Sequence, residues 1–272
     1  MLVIDTDPGL DDALALTYAF DHLDVDLITT VAGNTTLKNT TNNAAHIRNA
    51  HDANTPIRKG ARAPLQAQQV TTSFHGETGL GTTTAEQTTA KPFYTDLLED
   101  NTTVLCIGPL TNIAHIIQDT TSKHTFYILG GTRTTGNIHG EEFNIYADPH
   151  AAKTVFESNH DITVLPLDTA AQHGVSLDEA KTKRFNNTVT DRVWTDHCKA
   201  SEQAGSTTVN PYDLLLTYLF DHPDAYKTEK QTIAVDTEPP RRGHTDFKDG
   251  ESVEVITSIA DNTTQRALNS LT

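Results

Sequence analysis

Four carboxylates crowd the start of the chain. Asp5, Asp7, Asp11 and Asp12 fall within eight positions, directly after the apolar residues 2–4. Carboxylates this close repel one another, so a positive partner is expected among them. Hard carboxylate oxygens suit Mg²⁺ or Ca²⁺ better than a soft metal. The spacing therefore predicts a hard-cation site, and the alternative is an acid-rich helix N-terminus that the helix dipole favours.

The residues around this cluster predict the elements that hold it. The apolar run 2–4 predicts a buried strand, Pro8-Gly9 predicts a tight turn, and residues 13–16 predict an amphipathic helix. The carboxylates would then lie at the carboxyl end of a buried strand. In open α/β sheets that edge is where ligands bind.

Strand-like runs alternate with helical patterns along the rest of the chain. We predict further strands over residues 25–31, 102–107, 126–129 and 162–167, and helices over 44–51, 110–117, 149–156, 192–203 and 257–271. This alternation is typical of right-handed βαβ units. The predicted fold class is α/β, with an open, mostly parallel central sheet flanked by helices, in one domain spanning residues 1–272.

The stretch of residues 63–91 breaks this rhythm. It is rich in Gln, Thr and Gly and shows neither helical nor strand periodicity. Long irregular connections of this kind are usually functional loops or disordered segments.

Polar residues follow several of the predicted strands. They are Asp7 and Asp12 after the first strand, Asn34 after the second, and polar residues of the segment 130–144 after the fourth; Ile107 ends the third strand. We expect them to converge on one edge of the sheet. Glu142 and Asn144 offer an acceptor and an amide that could hold vicinal hydroxyls. A sugar would suit such a pocket.

Composition narrows the classes of partner. The chain has 36 Asp and Glu against 20 Lys and Arg, a formal net charge of −16, which argues against nucleic-acid binding. The acidity suggests solubility in a salty cytoplasm. No apolar run approaches the ~20 residues of a membrane helix, so we expect no membrane partner and a cytoplasmic location. Cys106 and Cys198 are expected to be core thiols.

Several motifs carry a resemblance to a known family. Residues 5–16, Asp-Thr-Asp-Pro-Gly-Leu-Asp-Asp-Ala-Leu-Ala-Leu, are similar to the N-terminal signature of the inosine-uridine-preferring nucleoside hydrolases. Further matches follow in the family's order over the first two thirds of the chain, at residues 31–34, 75–81, 108–114, 129–131, 136–137, 142–144 and 148–149. The resemblance implies the family's α/β fold and the hydrolysis of ribonucleosides to free base and ribose, an activity used in purine and pyrimidine salvage.

The resemblance also implies roles for individual residues. One Ca²⁺ would be bound by Asp7, Asp12, the backbone carbonyl of Ile107, and Asp213 as the best candidate for the last ligand. The ribose hydroxyls would be held by residues matching the family's sugar site, namely Asp11, Asn34, Asn137, Glu142 and Asn144. Family members are commonly homodimers or homotetramers, so a homo-oligomer is expected.

The expected mechanism follows from the charge that develops in the reaction. Cleavage of an N-glycosidic bond builds positive charge on the ribosyl ring as it approaches an oxocarbenium ion, which a floor of carboxylates stabilises. The cation would position a water molecule and lower its pKa, and Asp7 would accept its proton. Asp5 is expected to support the loop from behind.

The leaving group is where the sequence departs from the family. The family usually has a His-Asp pair at the last metal ligand, whereas this chain has Tyr212-Asp213. A phenol is a weaker acid than imidazolium but can donate a hydrogen bond to the base. Tyr212 could instead stack on the base, and His75, which matches a family histidine near the base, could activate the leaving group. Base preference stays open.

Two alternatives remain beside the hydrolase. A ribose-binding or nucleoside-binding homologue could have kept the calcium pocket and lost turnover. A haloacid dehalogenase-type phosphatase also begins with a strand and Asp-x-Asp, which Asp5-Thr6-Asp7 satisfies. That family wants Thr or Val where this chain has Gly9, and a later Gly-Asp motif that the chain lacks, so it is the weaker alternative.

Overall fold

A computed structural model describes residues 1–271, and a ten-stranded sheet forms its centre. The strands of this sheet are β1 (Leu2–Thr6), β2 (Leu27–Thr30), β3 (Ile57–Lys59), β4 (Lys91–Pro92), β5 (Thr103–Cys106), β6 (Thr125–Leu129), β7 (Asp161–Leu165), β10 (Tyr226–Val235), β11 (Thr245–Asp249) and β12 (Val253–Ile259). A separate small ribbon pairs β8 (Val175–Ser176) with β9 (Thr208–Val209).

Ten α-helices accompany these strands within residues 1–271. They are α1 (Leu10–His22), α2 (Leu37–Ala50), α3 (Thr111–Asp119), α4 (Phe143–Ala147), α5 (Pro149–Phe156), α6 (Leu167–Ala171), α7 (Leu177–Ala180), α8 (Thr188–Gln203), α9 (Tyr212–Asp221) and α10 (Thr263–Ser270). None of them is long and apolar enough to cross a membrane.

Most of the sheet is parallel, as predicted. The strand order is β11-β10-β12-β7-β6-β5-β1-β2-β3-β4, and every pair from β12 to β4 is parallel. Asp5 of β1 lies opposite Thr29 of β2 on one side and Cys106 of β5 on the other. The first carboxylates of the chain therefore follow a strand in the middle of the sheet.

Helices cover both faces of the sheet. Successive side chains of β1 enter different cores, since Ile4 packs in the cluster with Leu14 and Leu216, and Val3 packs in the cluster with Ile113. This alternation is the geometry of a strand buried on both faces. Cys106 and Cys198 are free and buried, as expected for core thiols.

The end of the chain differs from the prediction. Residues 257–271 were expected to form one helix, but residues 253–259 form β12, and α10 begins only at Thr263. β12 pairs with β7 on one side and with β10 on the other, so long-range hydrogen bonds decide its conformation. The antiparallel β10 and β11, which extend the sheet beyond β12, are also absent from the prediction.

The irregular stretch 63–91 has the character predicted for it. It contains no helix, and its only strand residue is Lys91 at the start of β4. Part of this stretch, residues 71–75, lines the cavity described below. Part of this long connection therefore lies beside the carboxyl ends of the central strands.

Candidate active site

One cavity of about 540 Å³ brings the predicted site residues together. Its walls include nine of them, namely Asp11, Asn34, His75, Ile107, Asn137, Glu142, Asn144, Tyr212 and Asp213. Asp7 and Asp12 are almost completely buried beside it. A volume of this size is ordinary for a small-molecule site.

Three of the carboxylates form a tight cluster at one end of this cavity. Oxygen atoms of Asp11, Asp12 and Asp213 lie within 4.8 Å of one another. Asp11 and Asp12 occupy the first turn of α1, and Asp213 occupies the first turn of α9. Two helix N-termini thus meet at the cluster, where their dipoles favour negative charge. Together with Asp7 we call these residues the carboxylate floor.

Hydrogen bonds from the turn after β1 fix Asp12. Its Oδ1 accepts from the Thr6 hydroxyl at 2.6 Å, and its Oδ2 accepts from Gly9 N at 2.9 Å and Asn34 Nδ2 at 3.1 Å. The carboxylate therefore closes the strand–turn–helix segment and joins it to the end of β2. Three good donors leave it little freedom to rotate.

Asp7 is held from the segment that follows β2. Its Oδ2 accepts from Asn34 N at 2.6 Å, and its backbone carbonyl accepts from Asn34 Nδ2 at 3.2 Å. A Cβ at Gly33 would lie 2.1 Å from Asp7 Oδ2. Glycine is therefore required at position 33 for the two strand ends to approach this closely.

Asp5 supports the floor from inside the sheet. It is completely buried, and its Oδ1 accepts from the Thr29 hydroxyl at 2.5 Å and from Asn112 Nδ2 at 2.7 Å. Asp5 does not line the cavity. Its contacts instead tie β1 to β2 and to α3.

In the described part of the chain, the negative charges of the floor have no positive side chain beside them in the lining of the cavity. Burial raises the pKa of Asp7 and of Asp213 well above the usual range, and neighbouring aspartates add to both rises. Burial also raises the pKa of Asp11 to about 7, with a further contribution from Asp12. No lysine or arginine of residues 1–271 lines the cavity to offset these charges. A buried set of carboxylate oxygens without a cationic side chain fits a hard ion such as Ca²⁺.

Glu142 and Asn144 form the wall beside the floor. Glu142 caps α4: its Oε1 accepts from Asn144 N at 2.8 Å, and its Oε2 accepts from Gly131 N at 3.1 Å and Ile145 N at 3.0 Å. Asn144 Nδ2 lies 3.4 Å from the carbonyl oxygen of Ile107. The end of β5 and the start of α4 therefore present polar groups to the same space.

His75 reaches the cavity from the irregular stretch 63–91. Its Nδ1 accepts from Leu10 N at 3.0 Å and lies 3.9 Å from Asp11 Oδ1. Burial lowers its pKa to about 3, and His197 contributes to the decrease. His75 is therefore a neutral imidazole whose proton is assigned to Nε2, because Nδ1 is the acceptor.

Tyr212 begins α9, directly before Asp213, and lines the cavity. Burial raises its pKa to about 12, and the nearby Asp11 contributes to the rise. The phenol consequently keeps its proton at neutral pH and can donate a hydrogen bond.

His197 is a cavity residue to which the sequence analysis gave no role. It lies on α8, is 2% exposed, and lines the cavity together with Phe74, Ser201 and Asn210. A signal for it exists in the sequence, since His197 falls three residues after Trp194 on a predicted helix and so shares the buried face of that residue. Periodicity alone cannot show that this face also borders a cavity.

Known proteins resemble this chain over most of its length. Residues 2–266 match the family described as inosine-uridine preferring nucleoside hydrolase. The chain is 32% identical to the non-specific ribonucleoside hydrolase RihC of Escherichia coli over 258 residues, which cover 87% of this chain and 84% of the relative.

Solved structures share the fold. A purine-preferring ribonucleoside hydrolase from Gardnerella vaginalis superposes with a TM-score of 0.88 at 21% identity and covers 99% of this chain and 97% of its own. The plant nucleoside hydrolase PpNRh1 enzyme gives a TM-score of 0.85 at 24% identity, with 99% and 96% covered. With the match over residues 2–266 and the identity to RihC, these observations lead to one conclusion: the chain belongs to the family of inosine-uridine preferring nucleoside hydrolases.

Proposed function

We propose that this protein hydrolyses the N-glycosidic bond of ribonucleosides with a bound Ca²⁺, releasing free base and ribose. The observation that carries the proposal is the carboxylate floor, four buried aspartates beside a cavity whose remaining lining, apart from Glu142, is uncharged. A sugar that gains positive charge fits the part of the cavity beside the carboxylate floor. A neutral heterocycle fits the uncharged part.

The lining also argues for a nucleoside over a phosphorylated substrate. Among the residues that the structure describes, no lysine or arginine lines the cavity, whereas Asp11, Glu142 and Asp213 do. A phosphate group would meet like charge there and find no cationic side chain. Together with the family match, this argues against the phosphatase alternative.

Asp7, Asp12, Asp213 and the Ile107 carbonyl are the ligands that we propose for Ca²⁺. The ion would polarise a coordinated water molecule and help to neutralise the floor. Asp11 is close enough to Asp12 and Asp213 to join this set, and we assign it to the ribose hydroxyls with Asn34, Asn137, Glu142 and Asn144. Asp5 keeps the supporting role that its contacts suggest.

Asp7 is the proposed general base. Asn34 N holds one of its oxygens, Oδ2, which leaves Oδ1 to accept a proton from the attacking water. The C–N bond breaks and its electron pair leaves with the base, and the water oxygen then bonds to C1′ of the ribose. The carboxylate floor stabilises the positive charge of the ribosyl ring between these events.

The departing base gains its hydrogen bonds from neutral groups. His75 is neutral at physiological pH and offers Nε2–H, and Tyr212 offers its phenolic proton. We therefore assign both residues to leaving-group stabilisation by hydrogen bonding, with the proton of the free base supplied through solvent or Tyr212.

The test is a chromatographic assay of free base from a panel of purine and pyrimidine ribonucleosides, with added Ca²⁺ and after chelation. We expect base release that stops on chelation and returns when Ca²⁺ is restored. Release that persists through exhaustive chelation would contradict the calcium assignment. Binding of ribose with no release from any nucleoside would favour the noncatalytic homologue.

Three further assignments rest on the resemblance and the composition alone. A homodimer or homotetramer, a role in purine and pyrimidine salvage, and a cytoplasmic, high-salt setting stay predictions. So does the single domain over residues 1–272. Sedimentation at graded salt concentrations would test the assembly.

A further inference from the structure

His197 is a buried polar side chain whose ring nitrogen Nδ1 has no protein partner. It is 2% exposed, and Nδ1 makes no hydrogen bond within residues 1–271. Asn210 Oδ1, on another residue of the same cavity, is also buried without a partner. Unpaired buried polar atoms are uncommon in proteins because their lost hydration is not compensated. His197 also lines the cavity, so a ligand bound there can contact its ring.

Aromatic packing fixes the ring of His197. The Phe74 ring meets it edge to face, with centroids 5.6 Å apart and planes at 87°, and Trp194 meets it at 6.1 Å and 80°. Trp194 is completely buried and donates its indole N–H to the Ala180 carbonyl at 2.8 Å. His197 is therefore held in place before any ligand arrives.

Asp196, the residue before His197 on α8, connects this helix to the segment that carries His75. Asp196 Oδ2 accepts from Thr82 N at 2.8 Å and from the Thr82 hydroxyl at 2.6 Å. Gly81 has a φ of +58°, and a Cβ there would lie 2.6 Å from Asp196 Cβ, so the chain turns tightly against the helix. Phe74 also packs against His75, with centroids 5.1 Å apart. The two imidazoles thus belong to one rigid corner of the cavity.

His75 borders the carboxylate floor, since its Nδ1 lies 3.9 Å from Asp11 Oδ1, whereas His197 has other partners. The His197 ring packs against Phe74 and Trp194 and interacts electrostatically with His75, and within residues 1–271 no hydrogen bond or ion pair joins it to any of the four aspartates. Burial lowers the pKa of His197 to about 4, so the ring is neutral and offers one donor and one acceptor. Such a group suits a neutral heterocycle better than the ribosyl cation.

We propose that His197 is a specificity-determining residue that hydrogen-bonds the heterocyclic base of the substrate. The proposal rests on the proposed nucleoside hydrolysis and adds a contact on α8 to those offered by His75 and Tyr212. The ring can pair with a carbonyl or ring nitrogen of the base, or with an N–H, according to its tautomer.

The experiment compares two classes of riboside that share the sugar and differ in the leaving group. His197→Phe keeps an aromatic ring beside Phe74 and removes the hydrogen bond, and His197→Gln keeps a donor and an acceptor. For natural ribonucleosides we expect kcat/KM to fall about tenfold in His197→Phe, the effect of one lost hydrogen bond, and to recover partly in His197→Gln. For 4-nitrophenyl riboside, whose leaving group needs no such contact, we expect values within about twofold of wild type.

His124→Phe is the matched control. His124 is also a buried histidine with unpartnered ring nitrogens. It lies directly before β6, at the amino ends of the parallel strands, and does not line the cavity. We expect equal kinetics for both substrate classes in this variant. Thermal midpoints measured for all variants separate a loss of folding from a loss of recognition.

Three outcomes would overturn the proposal. They are unchanged kcat/KM for all nucleosides in His197→Phe, an equal loss on 4-nitrophenyl riboside, and no recovery in a folded His197→Gln. If the wild type hydrolyses nothing, the proposed function fails, and calorimetric nucleoside binding then tests His197 by itself. In that case His197→Phe should weaken nucleoside binding about tenfold and leave ribose binding unchanged, and equal nucleoside affinities would refute the contact.

Discussion

Two parts of the cavity are built in different ways. The carboxylate floor comes from a short segment after β1, joined by Asp213, and each carboxylate sits at a strand end or a helix N-terminus of the central architecture. The walls that we call the roof come from Phe74 and His75 of an irregular stretch and from His197 and Tyr212 of two helices, and His75 and Tyr212 border the floor.

The difference in construction matches a difference in chemistry. Burial raises the pKa of the acids in the floor, because their negative charges are costly there, and the proposed cation would reduce that cost. Burial lowers the pKa of His75 and His197 in the roof, which keeps them neutral. A site that stabilises a cationic sugar and recognises an uncharged base needs opposite pKa shifts in its floor and its roof.

The largest effect is expected in the floor, from Asp7→Asn. Loss of the proposed general base and of one proposed metal ligand should lower kcat by about a thousandfold or more for every riboside, including 4-nitrophenyl riboside. The metal-free variant should melt no lower than wild type, since the change removes one of four repelling carboxylates. Asp161→Asn, at an exposed site, is the control and should be fully active. Appreciable turnover by Asp7→Asn would remove Asp7 from the mechanism.

In the roof, His75→Ala should separate the two substrate classes. We expect kcat/KM for natural nucleosides to fall about tenfold to a hundredfold, because a hydrogen bond to the leaving base is lost, with a smaller loss on 4-nitrophenyl riboside. The exposed His115 provides the control variant His115→Ala. Equal losses on both substrates would place His75 with the floor in function and break the division of the site.

Tyr212→Phe should have a milder effect of the same kind. Removing one phenolic donor should lower kcat/KM for nucleosides about fivefold to tenfold, and the ring remains available for stacking. Tyr94→Phe, at a 60% exposed position, should change nothing. Wild-type kinetics in Tyr212→Phe together with a large loss in Tyr212→Ala would favour stacking on the base over hydrogen bonding.

The smallest effect concerns stability and pH. Burial raises the pKa of Glu142 from 4.5 to about 7, so its contribution to stability is present below pH 4.5 and is lost as the pH rises through 7. In chelator, the melting temperature should fall between pH 5 and pH 8, and the fall should be about 2 to 4 °C smaller in Glu142→Gln. The exposed Glu157→Gln should melt like wild type across this range. An identical fall in Glu142→Gln would show that this carboxyl does not titrate with folding.

Much of the floor could be predicted because its determinants are local. An apolar strand, a Pro-Gly turn and a helix follow one another directly, so the position of Asp7, Asp11 and Asp12 at a strand end needs no distant partner. Parallel strands then bring Asn34 and Ile107 to the same edge of the sheet. Asp213 was predicted as a site residue only from the family resemblance, because the residues next to it in the sequence do not indicate a place in the floor.

The prediction was weakest where distant segments decide the structure. Residues 257–259 were assigned to a helix and lie in β12, because pairing with β7 and β10 outweighs their local pattern. His197 lies on a helix that was predicted, yet its role depends on which segment packs against that helix. Helical periodicity indicates a buried face and says nothing of what covers it.

The sequence by itself determined the α/β fold class, the edge of the sheet that carries the site and the acidic character of its floor, because these follow from local patterns and from the geometry of parallel strands. Only the tertiary structure decided the roof. Its residues come from segments far apart in the chain, and long-range contacts bring them together: Phe74 against both imidazoles, Asp196 against Thr82, and Leu10 N–H donating to His75. Side chains meet in this way only when the whole chain has folded.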